Sequence, residues 1–232
     1  MRLRLVTDRV AGLTLLVALS PLIAVLMLAI RIQDGKPSLI AVPRIGRNGK
    51  PIRMWKLRSM RAERPDGMAE GVSLTTADDD RITPVGKKLR AYYLDELPQL
   101  WNVAKGEMVL LGARPEAPEY VDMDDPRWRQ VLAVPPGMAG PTQLIVNNWE
   151  RHLISECPDG RTYVEQVLPV KLAIDGWYLD SASPRVDLLV AATLVRRFAP
   201  GTSSYTLKKR VHREVPEVQH VDDEPLLTGA RL

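Results

Sequence analysis

The feature that most constrains this chain is a run of 21 residues without a charge, Val10 to Ile30, closed by Arg9 and Arg31. As a helix it extends about 31 Å, the thickness of the hydrocarbon core of a bilayer. Ser20-Pro21 stands near its middle. A proline there removes one backbone hydrogen bond and collides with the carbonyl four residues back, that of Val17. Both flanks are basic: Arg2, Arg4 and Arg9 against Asp8 on one side, and Arg31, Lys36, Arg44, Arg47 and Lys50 against Asp34 over residues 31–50. The positive-inside rule therefore draws both ends to the cytoplasmic side. Three readings compete: a simple span, a re-entrant hairpin bent at Ser20-Pro21, and a signal peptide. The last is the weakest, because the run is too long and the small-residue site Ala18-Leu19-Ser20 is followed by Pro21.

Beyond the run roughly 200 residues remain, enough for one domain with its own core. The single cysteine, Cys157, excludes an internal disulfide framework and suits a reducing compartment. The sequence has no HExxH, no paired CxxC, no GxxxxGK[ST] and no GxGxxG, so the usual zinc sites and nucleotide loops are excluded. A net charge of +4 is compatible with phosphate ligands, anionic lipid or nucleic acid and does not choose among them.

Residues 38–60 read as a β-hairpin around Asn48-Gly49, a pair that favours a tight primed turn. Residues 61–81 read as a polar loop, in which Asp78-Asp79-Asp80 is better explained by solvation than by a metal. Thr83-Pro84 opens a helix as N-cap and N1, with Ile82, Val85, Leu89, Tyr92 and Tyr93 on one face; an interfacial and an ordinary surface helix fit it equally. In LDELPQLWNVAKG, Asp95 is the expected N-cap, Leu97, Leu100, Trp101 and Ala104 the expected face, and Gly106 the stop. Met108–Leu111 is a short buried strand, 135–144 a Pro/Gly-rich loop, and 167–198 two helices separated near Ser181 to Pro184. From residue 200 the tail is polar and without a pattern, and is expected to be loose.

The chemistry concentrates at Asp95-Glu96. A carboxylate at a helix N-terminus is favoured in its ionised, nucleophilic form, and Pro98, at N3, withholds one of the amides that normally engage such a cap. Alone the pair is no more than a cap. Lys56 and Arg58, two apart on one strand, Arg90 and Arg114 flank it in sequence, and cations around a carboxylate nucleophile suit attack on a phosphoryl group. Mg²⁺ commonly bridges such sites.

These residues resemble a known family. KLRSM (56–60), RITPVGKKLRAYYLDELPQLWNVAKGEMVLLGARPE (81–116), PPGMAGPTQL (135–144) and IDGWYLDSASPRVDLLV (174–190) are similar to segments of the bacterial sugar transferases, the monotopic phosphoglycosyl transferases, and the resemblance runs over residues 1–199. It implies transfer of a sugar phosphate from a UDP-sugar to polyprenyl phosphate with release of UMP, by ping-pong chemistry with Mg²⁺. Asp95 would be the nucleophile and share the metal with substrate phosphates. Glu96 would orient or deprotonate the acceptor. Lys56, Arg58, Arg90 and Arg114 would line the phosphate and nucleotide site, and Asp175 and Asp187 would be polar site positions in the late helices.

The resemblance also selects the re-entrant reading, with the bend at Ser20 and Pro21. The expected fold is α+β: a re-entrant membrane helix with its flanks (1–36), a cytoplasmic catalytic domain of a small β-hairpin, helices and interfacial amphipathic helices (37–199), and a polar tail (200–232). It places the chain on the bacterial inner membrane, with a UDP-sugar, polyprenyl phosphate and the bilayer as partners, no nucleic acid, and a homodimer left open. A non-catalytic membrane scaffold is the alternative. Three departures stand out. Ala113 replaces a common proline, Pro141 replaces a common tryptophan, and Asn147 or Asn148 stands where an arginine is frequent, with Arg151 a few residues later.

Overall fold

A computed structural model describes residues 2–61, 79–156, 161–196, 205–219 and 221. The uncharged run lies within one helix, α1 (Arg2–Asp34), which passes through Pro21 without interruption. The expected break at Ser20-Pro21 is therefore not found, and Ser20 gives the reason. Its hydroxyl donates to the Val17 carbonyl at 2.8 Å, the acceptor that Pro21 cannot serve. The orphaned carbonyl is satisfied, so the helix continues.

One stripe of α1 packs on the rest of the chain. Ile23 and Ile30 are buried with Leu57 and Leu89, while Leu16, Leu19, Leu26 and Met27 lie against Leu39, Val85, Leu94 and Leu97. The spacing of three and four residues is that of a helix face. The other side stays apolar and exposed, from Leu3 through Val10, Val17 and Val25 to Ile32. This helix alone among the described residues is long and apolar enough to cross a membrane.

After α1 the chain forms β1 (Leu39–Ile45) and β2 (Pro51–Leu57), antiparallel, with Ile45 opposite Pro51. The hairpin is as expected, but its loop has more than two residues. It carries Asn48 (φ 57°) and Gly49 (φ 73°) in left-handed geometry, the conformation that Asn-Gly tolerates best. The polar loop expected at 61–81 falls mostly outside the described residues; Asp79 at its end pairs with Arg81 at 2.7 Å.

Next comes α2 (Pro84–Ala91), with Thr83 Oγ1 accepting from Gly86 N as the N-cap. Then α3 (Gln99–Lys105) ends on Gly106 in left-handed geometry. The face expected for this helix is corrected. Trp101 is exposed, while Gln99, Leu100, Asn102 and Val103 are buried. Asn102 is the reason: its amide accepts from Trp55 N at 3.1 Å and donates to Arg53 O at 2.8 Å, fixing α3 to β2 through the backbone.

The strand β3 (Val109–Leu111) precedes α4 (Pro126–Val131) and pairs in parallel with β4 (Gly137–Ala139), which forms inside the stretch expected to be a loop. The pairing requires glycine, since a Cβ on Gly137 would lie 2.2 Å from Gly112 N. The remaining helices are α5 (Pro141–Ile145), α6 (Asn147–Glu156), α7 (Leu168–Asp180), α8 (Pro184–Arg196) and α9 (Tyr205–Glu214). The separation of α7 from α8 is as expected. The loose tail is corrected where it is described: Leu207, Val211, Val215, Val218 and Val221 are buried against α7 and α8. Their spacing of three and four residues was the overlooked signal, in a stretch whose other residues are mostly polar.

Candidate active site

Tyr93 adopts left-handed geometry (φ 55°), and Leu94–Glu96 form a single 3₁₀ turn between α2 and α3. Asp95 is therefore not the N-cap of α3. Pro98 occupies that position and caps with no side chain. The turn aims both carboxylates inward, leaving Asp95 6 % and Glu96 8 % exposed.

Glu96 is fully engaged. Arg114 forks onto it with Nη2 at 2.7 Å from Oε1 and Nη1 at 2.8 Å from Oε2, and Lys56 Nζ stands 3.1 Å from Oε1. Arg114 also donates to the Met138 carbonyl on β4. Burial pushes the Glu96 carboxyl up, but Arg114 and Lys56 outweigh it and hold the group at about 2. Asp95 is in the opposite condition. Lys56 Nζ is 3.9 Å from its Oδ2, the distance of an ion pair rather than a hydrogen bond. Burial raises its carboxyl above the ordinary value; Lys56 draws it down, Glu96 pushes it up again, and Arg90 draws it down. The raised direction corrects the expectation of a dipole-stabilised anion. Outside a helix N-terminus the dipole is lost, and desolvation decides.

The other expected residues divide. Arg90, half-buried, donates to Met60 Sδ at 3.3 Å. Its guanidinium is lowered by burial, raised by Asp95 and lowered by Arg151, so Arg151 stands on this side of the site, near enough for its charge to count. Arg58 is not gathered with the carboxylates in the same way. It is 4 % exposed, and its Nη2 donates to Asp34 O at 2.8 Å and Gly35 O at 3.1 Å, the end of α1. Asp187 ion-pairs with Arg4 at 3.4 Å and accepts from Tyr178. Asp175 is buried on α7, accepts from the Thr142 hydroxyl, and is pushed by burial to about 7.

A second charged cluster went unnoticed in the sequence. Glu116, two residues after Arg114, accepts from Tyr163 Oη at 2.5 Å and from Lys171 Nζ at 3.0 Å. Lys171 also reaches Glu150 at 3.4 Å. Glu116 and Lys171 lie 55 positions apart, and no local pattern joins them.

Among the described residues no group of three or more His, Cys, Asp or Glu is arranged to hold a metal ion. A magnesium ion does not need one, since it takes one or two carboxylates together with substrate phosphates. With both Glu96 oxygens engaged by cations, Asp95 is the carboxylate suited to that role.

The family model described as bacterial sugar transferase matches residues 1–199. The chain is 30% identical over 200 residues to the uncharacterized sugar transferase EpsL of Bacillus subtilis (strain 168), covering 85% of this chain and 87% of that protein. It is 35% identical over 149 residues to the UDP-glucose:undecaprenyl-phosphate glucose-1-phosphate transferase of Escherichia coli (strain K12), covering 61% of this chain and 30% of the relative. It is 38% identical over 142 residues to the Caulobacter vibrioides protein of the same name, covering 60% and 52%. The chain spans less than half the length of several curated relatives that it matches. With the match running from the long apolar helix through the Asp95-Glu96 turn to the end of α8, the chain belongs to the bacterial sugar transferase family.

Proposed function

We propose that this chain moves a sugar 1-phosphate from a UDP-sugar to a polyprenyl phosphate of the undecaprenyl type, through a covalent intermediate on Asp95. One observation carries the reading. Asp95 and Glu96 are buried side by side, yet the arginine fork goes to Glu96, and the nearest cation of Asp95 is Lys56 at 3.9 Å, beside a hydrogen bond from its own backbone N–H. A carboxylate that is desolvated and only partly paired retains its basicity, as a nucleophile requires.

In the first half, an Asp95 oxygen attacks the β-phosphorus of the UDP-sugar. The bond from that phosphorus to the bridging oxygen breaks, and UMP leaves with the electron pair. In the second half, an oxygen of the ionised polyprenyl phosphate attacks the same phosphorus, the Asp95–phosphorus bond breaks, and the carboxylate is restored. Lys56 and Arg90 stand where phosphoryl charge builds up. Glu96, held at about 2, is too weak a base to take a proton and instead orients Lys56 and Arg114. Mg²⁺, held by Asp95 and the substrate phosphates, would supply charge neutralisation at the diphosphate.

The relatives' names supply the two substrate classes. The packing of α1 supports a monotopic placement on the cytoplasmic face of the inner membrane. Both its ends hydrogen-bond to the same domain, which a span with its ends on opposite sides of a bilayer does not allow. The basic, exposed Lys87 and Lys88 of α2 suit an interfacial position of that helix. A buried carboxylate pair with Lys56, Arg90 and Arg114 around it favours an enzyme over a degenerate scaffold.

The test is UMP release by membrane-extracted protein given Mg²⁺, polyprenyl phosphate and a panel of UDP-sugars. Wild type should release UMP and Asp95→Asn should not; an Asp95→Asn variant with normal turnover refutes the nucleophile.

A further inference from the structure

The two ends of α1 are tied to the C-terminal ends of β2, which carries Lys56, and of β3, which leads to Arg114, the two cations on Glu96. At the C-terminal end, Arg58 donates to Asp34 O at 2.8 Å and Gly35 O at 3.1 Å. These are carbonyls left open where a helix stops, at the negative end of its dipole. Arg58 is two residues from Lys56. The same junction is held by Arg58 N to Ser38 O at 2.9 Å and by the Ser38 hydroxyl to Met27 O at 2.8 Å. At the N-terminal end, Arg4 Nη2 donates to Leu111 O at 2.8 Å, with Tyr178 Oη at 3.3 Å, and Nη1 pairs with Asp187 at 3.4 Å. Leu111 closes β3, three residues before Arg114.

Between these ties the helix is held close. A Cβ on Gly12 would lie 2.8 Å from Val103 Cγ1, and the opposite face is apolar and exposed from Leu3 to Ile32. The depth at which that face sits in lipid is thereby passed to both Lys56 and Arg114.

We propose that Arg4 and Arg58 are positioning residues, clamps that fix the height of the Asp95 site over the membrane and so act on the lipid substrate. The inference rests on the two-step reading above. A UDP-sugar arrives from water and meets the site at any height. A polyprenyl phosphate is fixed to the bilayer by its chain, and its phosphate reaches Asp95 only if the site sits at the headgroup level. Loss of a clamp therefore harms the second half-reaction and spares the first. Arg4, Tyr178 and Asp187 then serve the lipid step without touching either substrate.

The experiment compares wild type, Arg4→Gln and Tyr178→Phe, each reconstituted in lipid nanodiscs. Two quantities are read: the burst of UMP from a UDP-sugar without acceptor, and KM for polyprenyl phosphate. Arg4→Gln should raise the acceptor KM about tenfold, the effect of losing a charged hydrogen bond, with the burst and the KM for donor unchanged. Tyr178→Phe, which keeps the Arg4–Leu111 bond, should give a smaller rise in the same quantity. A short, water-soluble prenyl phosphate, which has no fixed depth, should show no difference between variants. An unchanged acceptor KM in both variants, or a burst that falls in proportion with it, overturns the clamp. A wild type that shows no burst overturns the two-step reading instead.

Discussion

Two buried glutamates, Glu96 and Glu116, occupy clusters that look alike and behave differently. Each meets a lysine near 3 Å: Lys56 for Glu96 and Lys171 for Glu116. Each is held below its ordinary value against burial, Glu96 by Arg114 and Lys56, Glu116 by Lys171 with hydrogen bonds from Tyr163 and the Ala117 N–H. The Glu116 cluster closes on itself, since Tyr163 donates to the same carboxylate and Lys171 donates to Tyr163 at 2.6 Å. The Glu96 cluster instead has a neighbour, Asp95, that shares its cations but not their short contacts. Full satisfaction makes a structural cluster. On the function proposed above, a carboxylate with fewer close partners beside a satisfied one is the group left available for chemistry.

The comparison breaks most directly by neutralising one acid in each cluster. Asp95→Asn should lower kcat for UMP release by about a thousandfold or more, as expected when a covalent nucleophile is removed. Glu116→Gln should leave the rate per folded molecule within about threefold and lower stability instead. A large loss of kcat in Glu116→Gln would place that cluster in the chemistry.

Removing one cation from each gives the next largest effect. Lys171→Met leaves the buried Glu116 with no lysine, only the Tyr163 hydroxyl and the Ala117 N–H, and should cost about 3–5 kcal/mol in denaturant unfolding. Arg114→Met should cost a similar amount and in addition raise KM for the UDP-sugar, because Glu96 then draws Lys56 away from Asp95. Equal behaviour of the two variants in both measurements would erase the distinction.

The pH dependence sharpens the same contrast. Glu96 at about 2 in the fold, against 4.5 unfolded, contributes stability above pH 4.5 that is lost as pH falls toward 2, amounting to about 3 kcal/mol. Asp175 has the reverse sign. Its carboxyl is raised to about 7, so its contribution is complete below the unfolded value and lost as pH rises through 7. Acid titration of unfolding free energy in Glu96→Gln should flatten the first slope, and Asp175→Asn the slope between pH 4 and 7. The smallest effect belongs to Thr142→Val. It removes one hydrogen bond to Asp175, costs about 1 kcal/mol, and should move the Asp175 titration upward in the same measurement.

Much of the fold was legible where the signal is local. Thr83-Pro84, Asn48-Gly49, Gly106 and the break before Pro184 each act within a few bonds, through capping, left-handed backbone or a missing amide, and they appear where expected. The apolar spacing of α1 was equally visible. The candidate site was legible as a set of residue types, in that Lys56, Asp95, Glu96 and Arg114 are side chains that the fold brings together. What misled was inference from the nearest element. Asp95 reads as an N-cap because a helix follows, but Tyr93 and Pro98 insert a 3₁₀ turn between them. Arg58 reads as a partner of Lys56 because they are two apart, but α1 presents two open carbonyls that attract a guanidinium more directly.

By itself the sequence determined that an apolar helix with basic ends precedes an acidic pair among cations, because hydropathy, charge and turn chemistry are properties of neighbouring residues. The tertiary structure alone decided which acid each cation serves. Arg114 chooses Glu96 over Asp95, Lys171 finds Glu116 from 55 positions away, and Arg4 reaches Asp187 across 183. Such pairings depend on distances of a few ångströms between elements that the chain visits far apart, and Coulomb energy inside a protein follows those distances and not the order of the sequence.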